Sequence, residues 1–350
     1  MGIGMLEGTL LSGEPPVLEE MTVGHALPLQ PQKRLMVFSG RSHPALAADI
    51  ADKLGVELGG VELGSFPNGE TFCRYLESIR GADVFIVQTG CDPIDQNVME
   101  LCFMIQAAKL ASAKRITAVI PLFPYARQDR KAKPREPISA RLVADFLQLA
   151  GADRILTMDL HAGQIQGFFT IPVDHMTAQQ LFANHFRDLG MVGPGVVSVS
   201  PDAGRAKQAV RFAEALGADF AIMHKTRLGT DSVEISEVTG RVRDKIAILG
   251  DDVIMTGSTL LANAQALLEQ GASEVWAFAT HGAFCGDALR RFAESELSGV
   301  VVTDTVPINP LTQPEKLTVL KVSGLLAETM MNVFADDSVS AIFGGENQLF

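Results

Sequence analysis

Lys and Arg are scarce in this chain, and its first 32 positions have neither. Lys and Arg total 29 against 41 Asp and Glu, a net charge of −12. That balance argues against a nucleic-acid partner, which calls for a basic footprint, while leaving room for a local cationic pocket. The opening stretch carries Glu7, Glu14, Glu19 and Glu20 and no cation, so it lacks the basic start of a secretory signal. Pro15, Pro16, Pro28 and Pro31 predict an irregular extension over residues 1–32, outside the fold. No apolar run approaches the ~18 residues of a membrane span, so no membrane partner is expected. Only four cysteines occur, Cys73, Cys91, Cys102 and Cys285, with no C-x-x-C spacing. They fit reduced thiols in the cytoplasm better than a disulfide framework or a zinc site.

What the chain does have is apolar residues, 47% of 350, enough for two domains of ordinary size. Strand-like runs alternate with helical patterns. Leu35–Phe38 precedes a helix over 44–54, and Asp83–Val87 precedes one over 97–110 whose apolar residues lie nearly all round it, which predicts burial. Ile116–Ile120 follows, then a helix that Ser139 can cap and Gly151 ends. The same grammar returns with Val196–Val199, a helix over 206–216, Phe220–Ile222, Ile246–Leu249, a helix over 260–268 and Val275–Phe278. Such alternation implies an α/β fold of two similar domains, each a largely parallel sheet flanked by helices. The expected domains are 33–173 and 174–350, with the active site between them.

The most informative stretch runs from Asp251 to Thr259, Asp-Asp-Val-Ile-Met-Thr-Gly-Ser-Thr. Two carboxylates are placed at a strand end, and a small-residue loop opens a helix. The loop amides of Thr256, Gly257, Ser258 and Thr259, with the positive helix end, suit a phosphate. Asp251 and Asp252 suit a vicinal diol, because ionised carboxylates accept hydrogen bonds from hydroxyls. Phosphate plus diol describes a ribose phosphate; a strand-end Asp pair before an ordinary helix is the plainer alternative.

Further segments carry chemistry. Arg127, Arg130, Lys131, Lys133 and Arg135 crowd one loop, and Arg grips phosphate oxygens bidentately while Gln128 suits a base or ribose. A solvated charged loop is the alternative there. His161, after the strand-like Ile155–Thr157, contacts phosphate, water or metal, or else bonds backbone. Asp202 orders sugar hydroxyls or metal-bound water, or else caps the next helix. Lys225 and Arg227 share one face of an extended segment and can stabilise a phosphoryl group in flight, or form a charged strand-to-loop junction. Phe66-Pro67-Asn68-Gly69-Glu70 reads as a turn between extended segments, and an exposed Phe66 can stack on a base or pack in part.

From about Leu35 to the C-terminus, these pieces in this order resemble the ribose-phosphate pyrophosphokinase family, also called phosphoribosyl pyrophosphate synthetases. The match extends to Gly163-Gln164-Ile165-Gln166-Gly167-Phe168-Phe169. The resemblance implies a pair of phosphoribosyltransferase-like domains. It implies transfer of the β,γ-diphosphoryl group of ATP to the 1-hydroxyl of ribose 5-phosphate, releasing AMP, with Mg2+ as cofactor. By position, Phe66, Asn68, Gly69, Glu70, Arg127 and Gln128 would hold ATP, and His161 and Asp202 would serve the magnesium. Lys225 would be the catalytic cation with Arg227 as its partner. Arg227, Asp251, Asp252, Met255 and the loop from Thr256 to Thr259 would hold ribose 5-phosphate. Family members are commonly homo-oligomers, often hexamers. Three departures stand out: Met255 replaces a third acid, Ser258 a glycine, and Gly204-Arg205 a Gly-Gly pair. Loss of Lys225 or Arg227 would have favoured a non-catalytic regulatory relative, and neither is lost. A phosphoribosyltransferase would account for the Asp251 loop but not for Arg127, Gln128 and the Phe66 turn.

Overall fold

The computed structural model describes residues 33–227 and 234–340, without the side chains of 225–227 and 234–237. The expected extension over 1–32 lies outside the described residues. Strand β1 (Leu35–Ser39) leads into α1 (Pro44–Leu54). Pro44 sits where a helix leaves its N–H unpaired anyway, and Gly55 closes the helix in the left-handed conformation, φ 68°. Next come β2 (Val61–Ser65) and β3 (Thr71–Tyr75), an antiparallel hairpin. The first half continues with β4 (Asp83–Val87), α2 (Ile94–Leu110), β5 (Arg115–Ile120), α3 (Ser139–Ala150), β6 (Arg154–Met158), β7 (Val173–Met176) and α4 (Gln179–Asp188). A parallel sheet runs in the order β1-β4-β5-β6-β7. Every residue of β4 is buried, as a parallel strand covered on both faces requires. β7 completes this sheet and spans the expected boundary at 173/174.

The second half repeats the plan. β8 (Val196–Ser200) and α5 (Ala206–Leu216) precede the hairpin of β9 (Asp219–Arg227) and β10 (Glu234–Thr239). Then follow β11 (Ile246–Ile254), α6 (Ser258–Glu269), β12 (Glu274–Gly282), α7 (Ala288–Glu294), β13 (Gly299–Thr303), β14 (Leu317–Leu320) and α8 (Ser323–Ala335). The order β8-β11-β12-β13-β14 reproduces that of the first sheet strand for strand, with β9 and β10 added beside β8. In each half a hairpin stands between the first helix and the second parallel strand. The sheets are thus largely parallel and internally duplicated. No helix among the described residues is long and apolar enough to cross a membrane.

One apolar core is shared by the halves. Phe85, Leu156 and Met176 of the first sheet, Ile248 and Val301 of the second, and Leu46, Phe182, Phe212 and Met330 from four helices all join it. α8 therefore packs back on α1. The outer faces have separate cores, under α2 and α3 in the first half and under α6 and α7 in the second. At the seam the carboxyl ends of the sheets meet. Thr280 donates to Asp159 Oδ2 at 2.6 Å, and Thr89 donates to the Thr305 carbonyl at 2.7 Å. His281 is fully buried between the halves; Nε2–H donates to the Met158 carbonyl at 3.1 Å and Nδ1 pairs with the Thr305 hydroxyl at 2.9 Å.

Three local expectations change. Asp251 and Asp252 lie within β11, which continues to Ile254 through pairing with β12 as far as Gly282. Ser139 is not a cap; it opens α3 behind Ile138, and its hydroxyl donates to Gln128 Oε1 at 2.6 Å. α2 is not buried all round, because Met99 and Phe103 are exposed.

Losing His281 would strand a buried carbonyl and leave a void at the seam. His281→Ala is expected to cost about 3 kcal/mol, read from the urea unfolding midpoint. A loss under about 1 kcal/mol, the scale of one ordinary hydrogen bond, would show that this seam does not depend on it.

Candidate active site

β11 delivers the acids. Asp252 is 5% exposed, and both its oxygens are engaged. Oδ2 lies 2.6 Å from His161 Nδ1, across the seam from just beyond β6. Oδ1 accepts from Arg205 Nη2 at 2.6 Å and from the Val253 amide at 2.8 Å. Asp251 Oδ1 is ion-paired with Arg205 Nε at 3.2 Å and accepts from the Asp252 amide at 2.8 Å. One guanidinium therefore spans both carboxylates. Its Nη2 also comes within 3.4 Å of His161 Nδ1, because both donors converge on Asp252.

Burial pushes the Asp251 carboxyl up to about 7 from an ordinary 3.8, against the pull of Arg205, and the neighbouring Asp252 charge adds to the rise. Burial also opposes ionisation of Asp252, but the His161 hydrogen bond and the Arg205 charge outweigh it and hold this group well below the usual carboxylate range.

The loop expected to hold a phosphate follows. Gly257 takes a left-handed φ of 70°, and a Cβ there would lie 2.4 Å from the Phe292 ring, so only glycine fits before α6. Arg291 of α7 donates to the Thr256 carbonyl at 3.1 Å and to Ser258 Oγ at 3.0 Å. It brings a cation to the expected anion nest, and nothing in its sequence spacing on α7 marked it.

A cavity of about 880 Å3 opens at the meeting carboxyl ends, the usual ligand position in open α/β sheets. Arg127, Gln128 and His161 line it from the first half, and Asp252, Met255, His281, Phe284 and Cys285 from the second. Arg127 Nη1 reaches Met255 Sδ at 3.0 Å, so the two expected substrate sides touch. Asp251 opens instead on an adjoining cleft of about 60 Å3 that Arg205 also lines.

Phe66 to Glu70 form the β2–β3 turn, closed by the Phe66 amide to the Glu70 carbonyl at 2.8 Å. Phe66 is 52% exposed, and none of these residues lines the large cavity. Lys225 and Arg227 belong to β9, which supplies the expected extended backbone, while their side chains lie outside the described residues.

Asp202 Oδ1 accepts from the Gly204 amide at 2.8 Å and the Arg205 amide at 3.2 Å, the capping geometry. Among the described residues no three His, Cys, Asp or Glu side chains gather into a metal cage. The donor set still fits Mg2+, which takes one or two carboxylates together with substrate phosphates and water. Asp202 has its second oxygen left for that role, and His161, with Nδ1 committed to Asp252, presents Nε2 to phosphate or metal-bound water.

The raised Asp251 pKa has a consequence for stability. A folded value above the unfolded one gives a contribution that is complete below 3.8 and lost as the pH rises through about 7. Asp251→Asn removes that ionisation. Its melting temperature should gain on wild type between about pH 4 and about pH 7 and hold the gain above that. A difference that stays constant over this window would mean that Asp251 is ionised throughout.

Comparison with known proteins points one way. Residues 35–151 match the model of the N-terminal domain of ribose phosphate pyrophosphokinase, and residues 233–344 match the phosphoribosyl synthetase-associated domain. The chain is 48% identical over 309 residues to a ribose-phosphate pyrophosphokinase of Caldanaerobacter subterraneus, covering 88% of this chain and 98% of that one. It is 46% identical over 314 residues to the Clostridium acetobutylicum ribose-phosphate pyrophosphokinase, covering 90% and 98%. The crystal structure of phosphoribosylpyrophosphate synthetase from Mycobacterium smegmatis superposes with a TM-score of 0.81 at 46% identity, over 87% of this chain and all of that one. With a duplicated fold, an acid-and-loop site and relatives matched over nearly their full length, the chain belongs to the ribose-phosphate pyrophosphokinase family of enzymes.

Proposed function

We propose that this enzyme transfers the β,γ-diphosphoryl group of ATP to the 1-hydroxyl of D-ribose 5-phosphate, forming 5-phosphoribosyl 1-diphosphate and AMP for nucleotide biosynthesis in the cytoplasm. The observation that carries the reading is the shared cavity, where Arg127 and Gln128 face Asp252 and Met255. The lobe over 33–173 takes the ATP side and the lobe over 174–350 the sugar side. Arg127 grips phosphate oxygens and Gln128 meets base or ribose, its carbonyl oriented by Ser139. The sugar hydroxyls pair with Asp251 and Asp252. The 5-phosphate rests on the Thr256 to Thr259 amides beside Arg291, whose charge offsets part of the phosphate's own.

Lys225 is the catalytic cation and Arg227 its partner; they neutralise charge as AMP departs, and no covalent intermediate with the protein is needed. Mg2+ bound with ATP supplies further neutralisation of the phosphate oxygens. Asp202 and His161 are the residues that would meet it.

The working enzyme is a homo-oligomer. The outer faces of α2 and α3 expose Met99, Phe103, Leu142, Phe146 and Leu149, the last 84% exposed, an apolar surface suited to a second copy. The Phe66 turn does not line its own chain's cavity, so it completes an ATP site only in an assembly.

Purified protein with ATP, Mg2+ and ribose 5-phosphate is expected to release AMP. Release of ADP would mean that the γ-phosphoryl group moves instead, and tight binding of both ligands without turnover would favour a regulatory subunit. Lys225→Ala should lower kcat about 10²–10³-fold with little change in ribose 5-phosphate affinity. A rise in KM alone would remove Lys225 from the chemistry. Phe146→Glu should reduce the assembly mass measured by light scattering and raise the KM for ATP; unchanged mass would place the subunit contact elsewhere.

A further inference from the structure

Arg205 stands where the family resemblance expects glycine, and its position gives it a task. Its guanidinium is ion-paired with both acids proposed for the sugar, Nε lying 3.2 Å from Asp251 Oδ1 and Nη2 2.6 Å from Asp252 Oδ1. Its side chain is 14% exposed. With the Val253 and Asp252 amides and His161 added, three of the four carboxylate oxygens have donors, and only Asp251 Oδ2 is left. The cleft shared by Asp251 and Arg205, about 60 Å3, has room for a few waters but not for a pentose. A vicinal diol cannot reach both acids while the guanidinium stays. It offers the same donors, one O–H for each carboxylate.

We propose that Arg205 is a latch on the Asp251–Asp252 pair: it satisfies both carboxylates in the sugar-free enzyme and is exchanged for the ribose diol when ribose 5-phosphate binds. The inference rests on the sugar-binding role given to these acids above. The exchange explains how a buried acid pair persists without ligand, since an unpaired buried carboxylate is costly. It also sets the sugar affinity. Binding in the wild type swaps one set of hydrogen bonds for another. In a protein without the guanidinium, the hydroxyls would satisfy acids that had lost their donor.

Arg205→Gly opens the space and removes the competitor. Isothermal titration of ribose 5-phosphate is expected to give affinity about tenfold tighter than wild type, the worth of one net polar contact. ATP affinity should be unchanged. Arg205→Lys keeps the charge but cannot fork across two carboxylates, so its affinity should fall between the two. A purely structural arginine would never yield tighter sugar binding on removal. Should Arg205→Gly melt too low to titrate, Arg205→Lys decides alone: tighter binding supports the latch. Equal or weaker sugar binding in the variants, with normal binding in the wild type, would overturn the latch and leave the proposed reaction standing. A wild type that neither binds ribose 5-phosphate nor forms AMP would overturn both.

Discussion

The Asp252 carboxylate is the constraint on which the rest of the site depends. It is an anion held inside the protein, and the cost of placing it there is met from both halves at once: His161 from beyond β6 and Arg205 from beyond β8. A buried ion with its partners removed destabilises by several kcal/mol, so the halves cannot drift apart at this point without exposing or stranding it. Thr280 on Asp159 and His281 on the Met158 carbonyl repeat the restraint a few residues away. Together they fix the carboxyl ends of the sheets against each other. The cavity is what remains between those ends.

Duplication makes the meeting possible. Each half places its parallel strands in the same order, so each offers its loops at the same edge of its sheet. The two edges are chemically unlike. One presents Arg127 and Gln128 on a loop; the other presents acids on a strand and amides at a helix start. A substrate with a polyphosphate at one end and a reaction partner rich in hydroxyls can span such a seam. The shared apolar core beneath, from Leu46 to Met330, supplies the rigidity that alignment in phosphoryl transfer demands.

Much of this was legible in the residues. Fully apolar runs such as Val84–Val87 and Ile246–Leu249 can hardly be anything but buried strands, and Gly151 ends its helix as sequence position suggests. The Asn68-Gly69 turn needs a positive φ, and the structure gives Gly69 a φ of 91°. What stayed hidden depended on partners distant in sequence. β11 runs past Leu249 only because β12 pairs with it that far, which local composition cannot say. Ser139 looks like a cap until Gln128 claims its hydroxyl. Met99 and Phe103 fit a buried helix by polarity, yet nothing among the described residues covers them. Arg205 showed as a departure from pattern, but its meaning needed 46 residues of separation to Asp251 to close into a contact of 3.2 Å.

The departures also read together once they are seen in one place. Met255 stands where the resemblance expects an acid, and Arg205 where it expects no charge. Each moves the site in the positive direction. The ligand proposed above carries a phosphate near −2, so the loss of an acid at 255 favours its approach through the local field, while the Arg205 charge is taken up by its two carboxylates. Met255 does this while keeping contact across the seam, because its thioether accepts the Arg127 guanidinium that an acid would have paired with more strongly. A weaker hold on Arg127 leaves that cation readier for phosphate. The same two substitutions therefore act in opposite ways on the two halves of the site: Arg205 gives the buried acids a cationic partner, while Met255 gives Arg127 a weaker partner than an acid would be. That pairing is coherent with the proposed reaction, in which the acids exchange Arg205 for sugar hydroxyls and Arg127 is left open to a phosphate.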